Sequence, residues 1–385
     1  MFNAKDFKTY WKECLFALYI LIGVFRVHSE EDLFWFGLTI LVIHLILSEL
    51  KSARGIHKAV LNENVEAIIK YLDNGTDIDL EDNQGATPLM LTVQHNFLNL
   101  AELLINRGAN VNYNLEDKDK VSPLYTAVIR KHNEIANLLL ARGAVFDPHS
   151  ATFFGKIEVI QDYLEQGGNV NLLGYRDVTL LQMAAWNNQL EIAQLLIDSG
   201  AEVNDQDKYG RTPLHFAASN SDADKLVEFL IERGAELNVV ARGNLIFDGD
   251  GKTRHGTPLH IAVGYNCLNI AEILINQGAD VNARCNDLGG DTPLHDAVSG
   301  RIARFDVVEL LIANGADVNA YEKFQGKTPL HEVAYWGHID IAELLIVNGA
   351  KVNSRDFSGY TPLSSAETGR HNDMYCFLVR CGGKL

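Results

Sequence analysis

Four histidines, His215, His260, His295 and His331, each close a Thr-Pro-Leu-His tetrapeptide. Imidazole changes charge near neutral pH, so a recurring histidine first raises the question of acid–base chemistry. The near-regular spacing argues against it: the four form a ladder through the chain instead of converging on one reacting atom. Their expected job is local hydrogen bonding at each helix start. His371, Cys376 and Cys381 come nearest to a metal constellation, but no fourth soft ligand lies nearby. The segment Asp248-Gly249-Asp250-Gly251-Lys252-Thr253 has Ile246 where a phosphate loop needs glycine, and Leu259 where a calcium loop needs an acid. Gly-x-Ser-x-Gly and His-Glu-x-x-His are both absent from the sequence. The reading is therefore non-catalytic, with no cofactor and no metal.

The elements that carry these residues repeat. Helix starts at Thr87, Ser122, Thr179, Thr212, Thr257, Thr292, Thr328 and Thr361 are each followed, about 21 positions later, by a glycine. Two weaker starts, Arg54 and Phe146, are found by counting back from Gly75 and Gly167. Threonine at the N-cap can accept a backbone N–H, and proline at the first helical position gives up a donor that had no partner. A second apolar run, such as Ile341, Leu344 and Leu345, supplies an antiparallel helix, and glycine stops it in the left-handed conformation. Ala-x-Val-Asn then opens a polar hairpin to the next start. One such unit cannot bury its own apolar faces, so stacked neighbours must supply the core.

Residues 54–385 resemble an ankyrin repeat array, matching that family's Thr-Pro-Leu-His-x-Ala and Gly-Ala-x-Val-Asn motifs. The resemblance implies an all-α solenoid of helix-turn-helix repeats with hairpin loops, about ten in number. It also implies a scaffold that binds other proteins through its hairpin tips and the exposed side of its first helices. Positions four, seven and eight after each start lie on that side in similar arrays. Here they include Met183, Trp186, Phe216, Ile261, Tyr265, Asp296, Glu332, Tyr335 and Trp336, the candidate partner-binding residues.

The array departs from regularity twice. The interval from Gly234 to Thr257 is nearly twice the usual one and contains Phe247 and the Gly/Asp stretch. The interval from Gly143 to Phe146 is so short that a hairpin has been lost. The copy near 144–178 also lacks a threonine start, and a notch or change of curvature with weaker coupling is expected there.

Residues 1–53 stand outside the repeat. Cys14 to Phe25 is uncharged, and Leu33 to Leu47 contains only Thr39 and His44 among apolar or glycine positions. Extended to about 11–27 and 33–50, the runs suit a two-helix membrane hairpin, with Tyr10, Trp11 and Trp35 near its boundaries. Lys5, Lys8 and Lys12 precede it, and Lys51, Arg54 and Lys58 follow it, which places both termini in the cytoplasm. The alternative is a soluble helical hairpin packed on the first repeat or used for dimerisation, as in a cytoplasmic adaptor or secreted effector.

A formal charge of −17 disfavours nucleic acid and anionic lipid as nonspecific partners and is compatible with a protein partner bearing a basic patch. Five cysteines, Cys14, Cys267, Cys285, Cys376 and Cys381, are scattered and odd in number, unlike a disulfide framework.

Overall fold

The computed structural model describes residues 55–113, 122–242, 255–285, 290–300 and 304–385. The hairpin expected over 11–27 and 33–50 lies outside these residues, as do Phe247 and the stretch Asp248–Thr253. Among the described residues no helix is long and apolar enough to cross a membrane. The chain divides into two compact units, Met1–Asn110 and Val111–Leu385.

In the first unit, residues 55–61 are helical and pair with Val65–Asp73, and Pro88–His95 pairs with Leu98–Asn106. In the second, seven of the eight first helices start with proline, from Pro123–Ile129 through Pro362–Gly369; Leu180–Trp186 is the exception. Each is followed by a nine-residue second helix, such as Leu190–Asp198 or Ile339–Val347. The described residues contain isolated β-bridges, Leu173 with Thr179 and Ala241 with Gly256, and no longer strand.

The second helices show why the repeats of the second unit stack. Ile341, Ala342 and Leu345 are fully buried, and so are the matching Ile270, Ala271 and Leu274. An alanine beside two larger residues at this spacing makes one narrow apolar stripe and lets neighbouring helices approach closely. In the second unit a single core cluster runs from Tyr125 to Leu378. The fourth copy carries Ile160 where five copies have alanine, and Tyr163 where all but the first have leucine.

All ten repeat-ending glycines have positive φ, between 80° and 96°. At Gly349 a Cβ would meet nothing within 4 Å, so left-handed geometry, not crowding, demands glycine there. Its N–H bonds to Ile346 C=O at 3.0 Å and that of Ala350 to Leu345 C=O at 2.9 Å, which closes the helix.

The fourth copy departs from the ruler by one residue. Its N-cap is Asp147, not Phe146, and the helix is Pro148–Phe153. The Asp147 carboxylate accepts the N–H groups of His149 and Ser150 at 3.0 Å each, the work a threonine would otherwise do. The hairpin before it is missing, and Asp147 also stands where later copies carry the asparagine of Val-Asn: its carboxylate takes the Ser122 O–H at 2.6 Å. Onward to the next repeat, His149 contacts Val178 C=O at 3.2 Å and Asn171 Oδ1 accepts from Glu202 N–H at 3.2 Å.

Candidate functional site: an interaction surface left by two hydrogen-bond ladders

The histidines cap their own helices and also reach into the next repeat. In four copies the threonine N–H donates to the histidine Nδ1, at 3.1 Å for Thr212 with His215, 3.1 Å for Thr257 with His260, 3.2 Å for Thr292 with His295 and 3.1 Å for Thr328 with His331. An Nδ1 that accepts must leave the proton on Nε2. That proton is donated to a carbonyl of the following repeat, the one just before its N-cap: Gly256, Asp291, Lys327 and Tyr360, at 3.1, 3.2, 3.4 and 3.1 Å. Gln182 does the same in its copy, giving Nε2–H to Arg211 C=O at 2.8 Å. His57 and His149 contact Ala86 and Val178 C=O at 3.0 and 3.2 Å, so the degenerate copies keep this contact too.

Burial fixes the chemistry of these rings. It pushes the His215, His260 and His295 imidazoles down to about 4, against the carbonyl hydrogen bonds that favour the charged form. His149 and His331 are lowered for the same first reason. A base that is neutral, enclosed and bonded at both nitrogens has no lone pair to offer a substrate. Gly256 packs against this arrangement, and a Cβ there would come within 2.7 Å of the His260 ring and 2.6 Å of Cys285 Sγ.

The asparagines of Val-Asn build a second ladder at the other end of each helix pair. Asn282, Asn319 and Asn353 give Nδ2–H to the C=O of Gly315, Gly349 and Gly382, at 3.0 Å each. Their Oδ1 atoms accept from the N–H of Asp317, Lys351 and Lys384, at 2.8, 2.8 and 2.7 Å. The motif that opens the hairpin in sequence is thus also a cross-link between repeats.

The ladders do not use the candidate partner-binding residues, and these divide into two groups. Met183, Phe216 and Ile261 are 1%, 2% and 1% exposed, which corrects the expectation that they lie on the open side. Phe216 carries the Arg211 guanidinium 4.5 Å above its ring, and Arg211 is itself a buried ion pair with Asp207 at 2.5 Å. A buried cation needs an anion and a ring beside it, so position four in that copy serves packing. Trp186, Tyr265, Asp296, Glu332 and Trp336 are half-buried, and Tyr335 is exposed.

One helix, Pro329–Trp336, brings three of these together. Tyr335 and Trp336 meet edge-on at 5.1 Å, and Glu332 is paired with Lys327 at 3.4 Å. Trp186 stands apart with Phe153 edge-on at 5.9 Å and Lys131 Nζ 5.6 Å from its ring. The sequence reading missed four aromatics on hairpin turns, Tyr321, Phe324, Phe357 and Tyr360, all more than half exposed. Their signal was present: aromatic residues in segments otherwise made of turn formers. Among the described residues no group of three His, Cys, Asp or Glu is placed to hold a metal ion; Cys376 and Cys381 are both exposed.

Stacked helix pairs, most of them linked to the next through His, Gln or Asn, point to one family, described as Ankyrin repeats (3 copies), which matches residues 56–150, 148–241, 244–322 and 301–384. The chain belongs to the ankyrin repeat family. Its similarity to "Putative palmitoyltransferase ZDHHC13" of Danio rerio is 30% identity over 58% of this chain and 32% of that protein. With human neurogenic locus notch homolog protein 1 it is 36% over 34% of this chain and 5% of that protein. The matches to these relatives thus span a third of their length or less. The crystal structure of the human ASB11 ankyrin repeat domain has a TM-score of 0.52 at 26% identity, covering 63% of this chain and 100% of that one. The ankyrin fold is generally non-catalytic and implies a protein–protein interaction scaffold.

Proposed function

We propose that this ankyrin scaffold is tethered to a membrane through residues 1–53, with the repeats of 54–385 in the cytoplasm. The observation that carries the binding part is the division of labour among polar groups. The recurring His, Gln and Asn side chains are spent between repeats, whereas Trp186, Tyr265, Asp296, Glu332, Tyr335 and Trp336 vary from copy to copy and retain solvent exposure. Half-exposed aromatics beside charged groups are common anchors of protein interfaces. Tethering restricts such a surface to partners at the same membrane and raises its effective concentration toward them.

The tether is supported by the two apolar runs at 14–25 and 33–47 and by the lysines outside them. Fractionation tests it: the full chain should stay with membranes through high salt and leave only with detergent, and release by salt alone would rule out an integral hairpin. Trp186→Ala, Tyr265→Ala and Trp336→Ala together should abolish partner capture while helical content is retained. Unchanged capture would reject this surface.

A further inference from the structure

Four exposed aromatics lie on two neighbouring hairpin turns. Tyr321 (53% exposed) and Phe324 (67%) precede the helix Pro329–Trp336, and Phe357 (66%) and Tyr360 (60%) precede Pro362–Gly369. The turns are joined, because Phe357 N–H donates to Gln325 C=O at 2.7 Å and the Phe357 ring meets Tyr321 edge-on at 6.3 Å. Gly326 has φ +72°, and a Cβ there would stand 2.5 Å from the Phe357 ring. The rings are therefore positioned by backbone while facing water, a costly arrangement for a chain with no ligand to cover them.

The polar groups around the rings are unequally committed. The Glu322 carboxylate accepts the N–H groups of Phe324, Gln325 and Lys327, at 2.6, 2.5 and 3.2 Å. Asp356 accepts those of Ser358 and Tyr360 at 2.9 and 2.8 Å. The Tyr321, Gly359 and Tyr360 carbonyls take Arg284, Arg355 and His331. Both carboxylates and these three carbonyls are thus engaged within the array, while the exposed Lys323 ammonium and the Tyr321 and Tyr360 hydroxyls can donate outward.

A donor-rich aromatic surface suits a ligand with apolar rings, free carbonyls and few N–H groups. A polyproline-type segment has all three, and it is ordered before it binds. An acidic segment also brings acceptors, but the chain's charge of −17 opposes its approach. We infer that the joined turns at Tyr321–Phe324 and Phe357–Tyr360 dock a proline-rich extended segment of a partner protein. This rests on the array being a protein-binding module and adds the chemistry of what it binds.

Fluorescence anisotropy with a dye-labelled, acetylated decaproline, run beside a glutamate-rich peptide of equal length on the full chain in detergent solution, tests it. Decaproline should bind saturably and the acidic peptide much less. The quadruple variant Tyr321→Ala, Phe324→Ala, Phe357→Ala, Tyr360→Ala should weaken decaproline by about tenfold or more, with circular dichroism and Tm nearly unchanged because these rings are exposed. Lys323→Glu should weaken it several-fold with every ring intact. No decaproline binding, equal binding of the acidic peptide, or an unaffected quadruple variant overturns the inference. The Trp186, Tyr265 and Trp336 triple variant should bind decaproline as the parent does. Failure at the turns is thereby separable from failure of the first-helix surface.

Discussion

The repeats from 212 to 349 and the degenerate copy near 144–178 reach the same end with different residues. In the regular copies a histidine takes the threonine N–H with one nitrogen and the next repeat's carbonyl with the other. In the fourth copy the two tasks are split. Asp147 caps the helix, and His149, stacked on Tyr125 at 4.9 Å, contacts Val178 C=O. What is maintained is the pairing of each enclosed backbone group, and the side chain that supplies it can change.

That contrast predicts unequal costs. His260→Ala removes an acceptor from Thr257 N–H and a donor from Asp291 C=O in an enclosed site, and should cost about 2–4 kcal/mol. His149→Ala leaves the Asp147 cap in place and should cost about half as much. Urea unfolding measures both, and equal losses would break the comparison.

Acid should act mainly on the regular copies. His215, His260 and His295 are held near 4, against an unfolded value of about 6.5. The unfolded state binds more protons in that window, so their contribution is complete above about 6.5 and is lost as pH falls toward 4. Each ring accounts for up to about 3 kcal/mol of the loss. Asp291 works in the opposite sense: burial and then Glu322 and Glu332 raise it to about 6, so its contribution is lost as pH rises through that value. Unfolding followed from pH 7 to pH 4 should show a net loss, and a flat profile would remove the histidines from the account.

The asparagine ladder should weigh alike ahead of the degenerate copy and among the regular ones. Asn112→Ala and Asn319→Ala each remove one donor and one acceptor at exposed positions, and each should cost about 1–2 kcal/mol by urea unfolding. A much smaller loss at Asn112 would show that the ladder contributes unequally along the chain.

Much of the fold was legible because the repeat uses residues with narrow roles. Proline and threonine at a helix start and glycine after its end restrict backbone geometry almost independently of context. The cross-repeat bonds were not legible, since a histidine's second partner lies about a repeat away and depends on stacking. Met183, Phe216 and Ile261 were misplaced because position four is packed into the core in these copies, and Phe216 meets Arg211, the residue just before its own helix start. Tyr321, Phe324, Phe357 and Tyr360 were not legible as one surface, because only the stacked structure joins the two turns and exposes their rings.

The central claim is that the recurring histidines hold repeats together and do no acid–base chemistry. Nitrogen-15 NMR of imidazole-labelled protein tests it most directly. His215, His260 and His295 should each show a single Nε2–H tautomer and remain neutral until pH approaches about 4. Titration of these rings near 6.5, with exchange between tautomers, would contradict the claim.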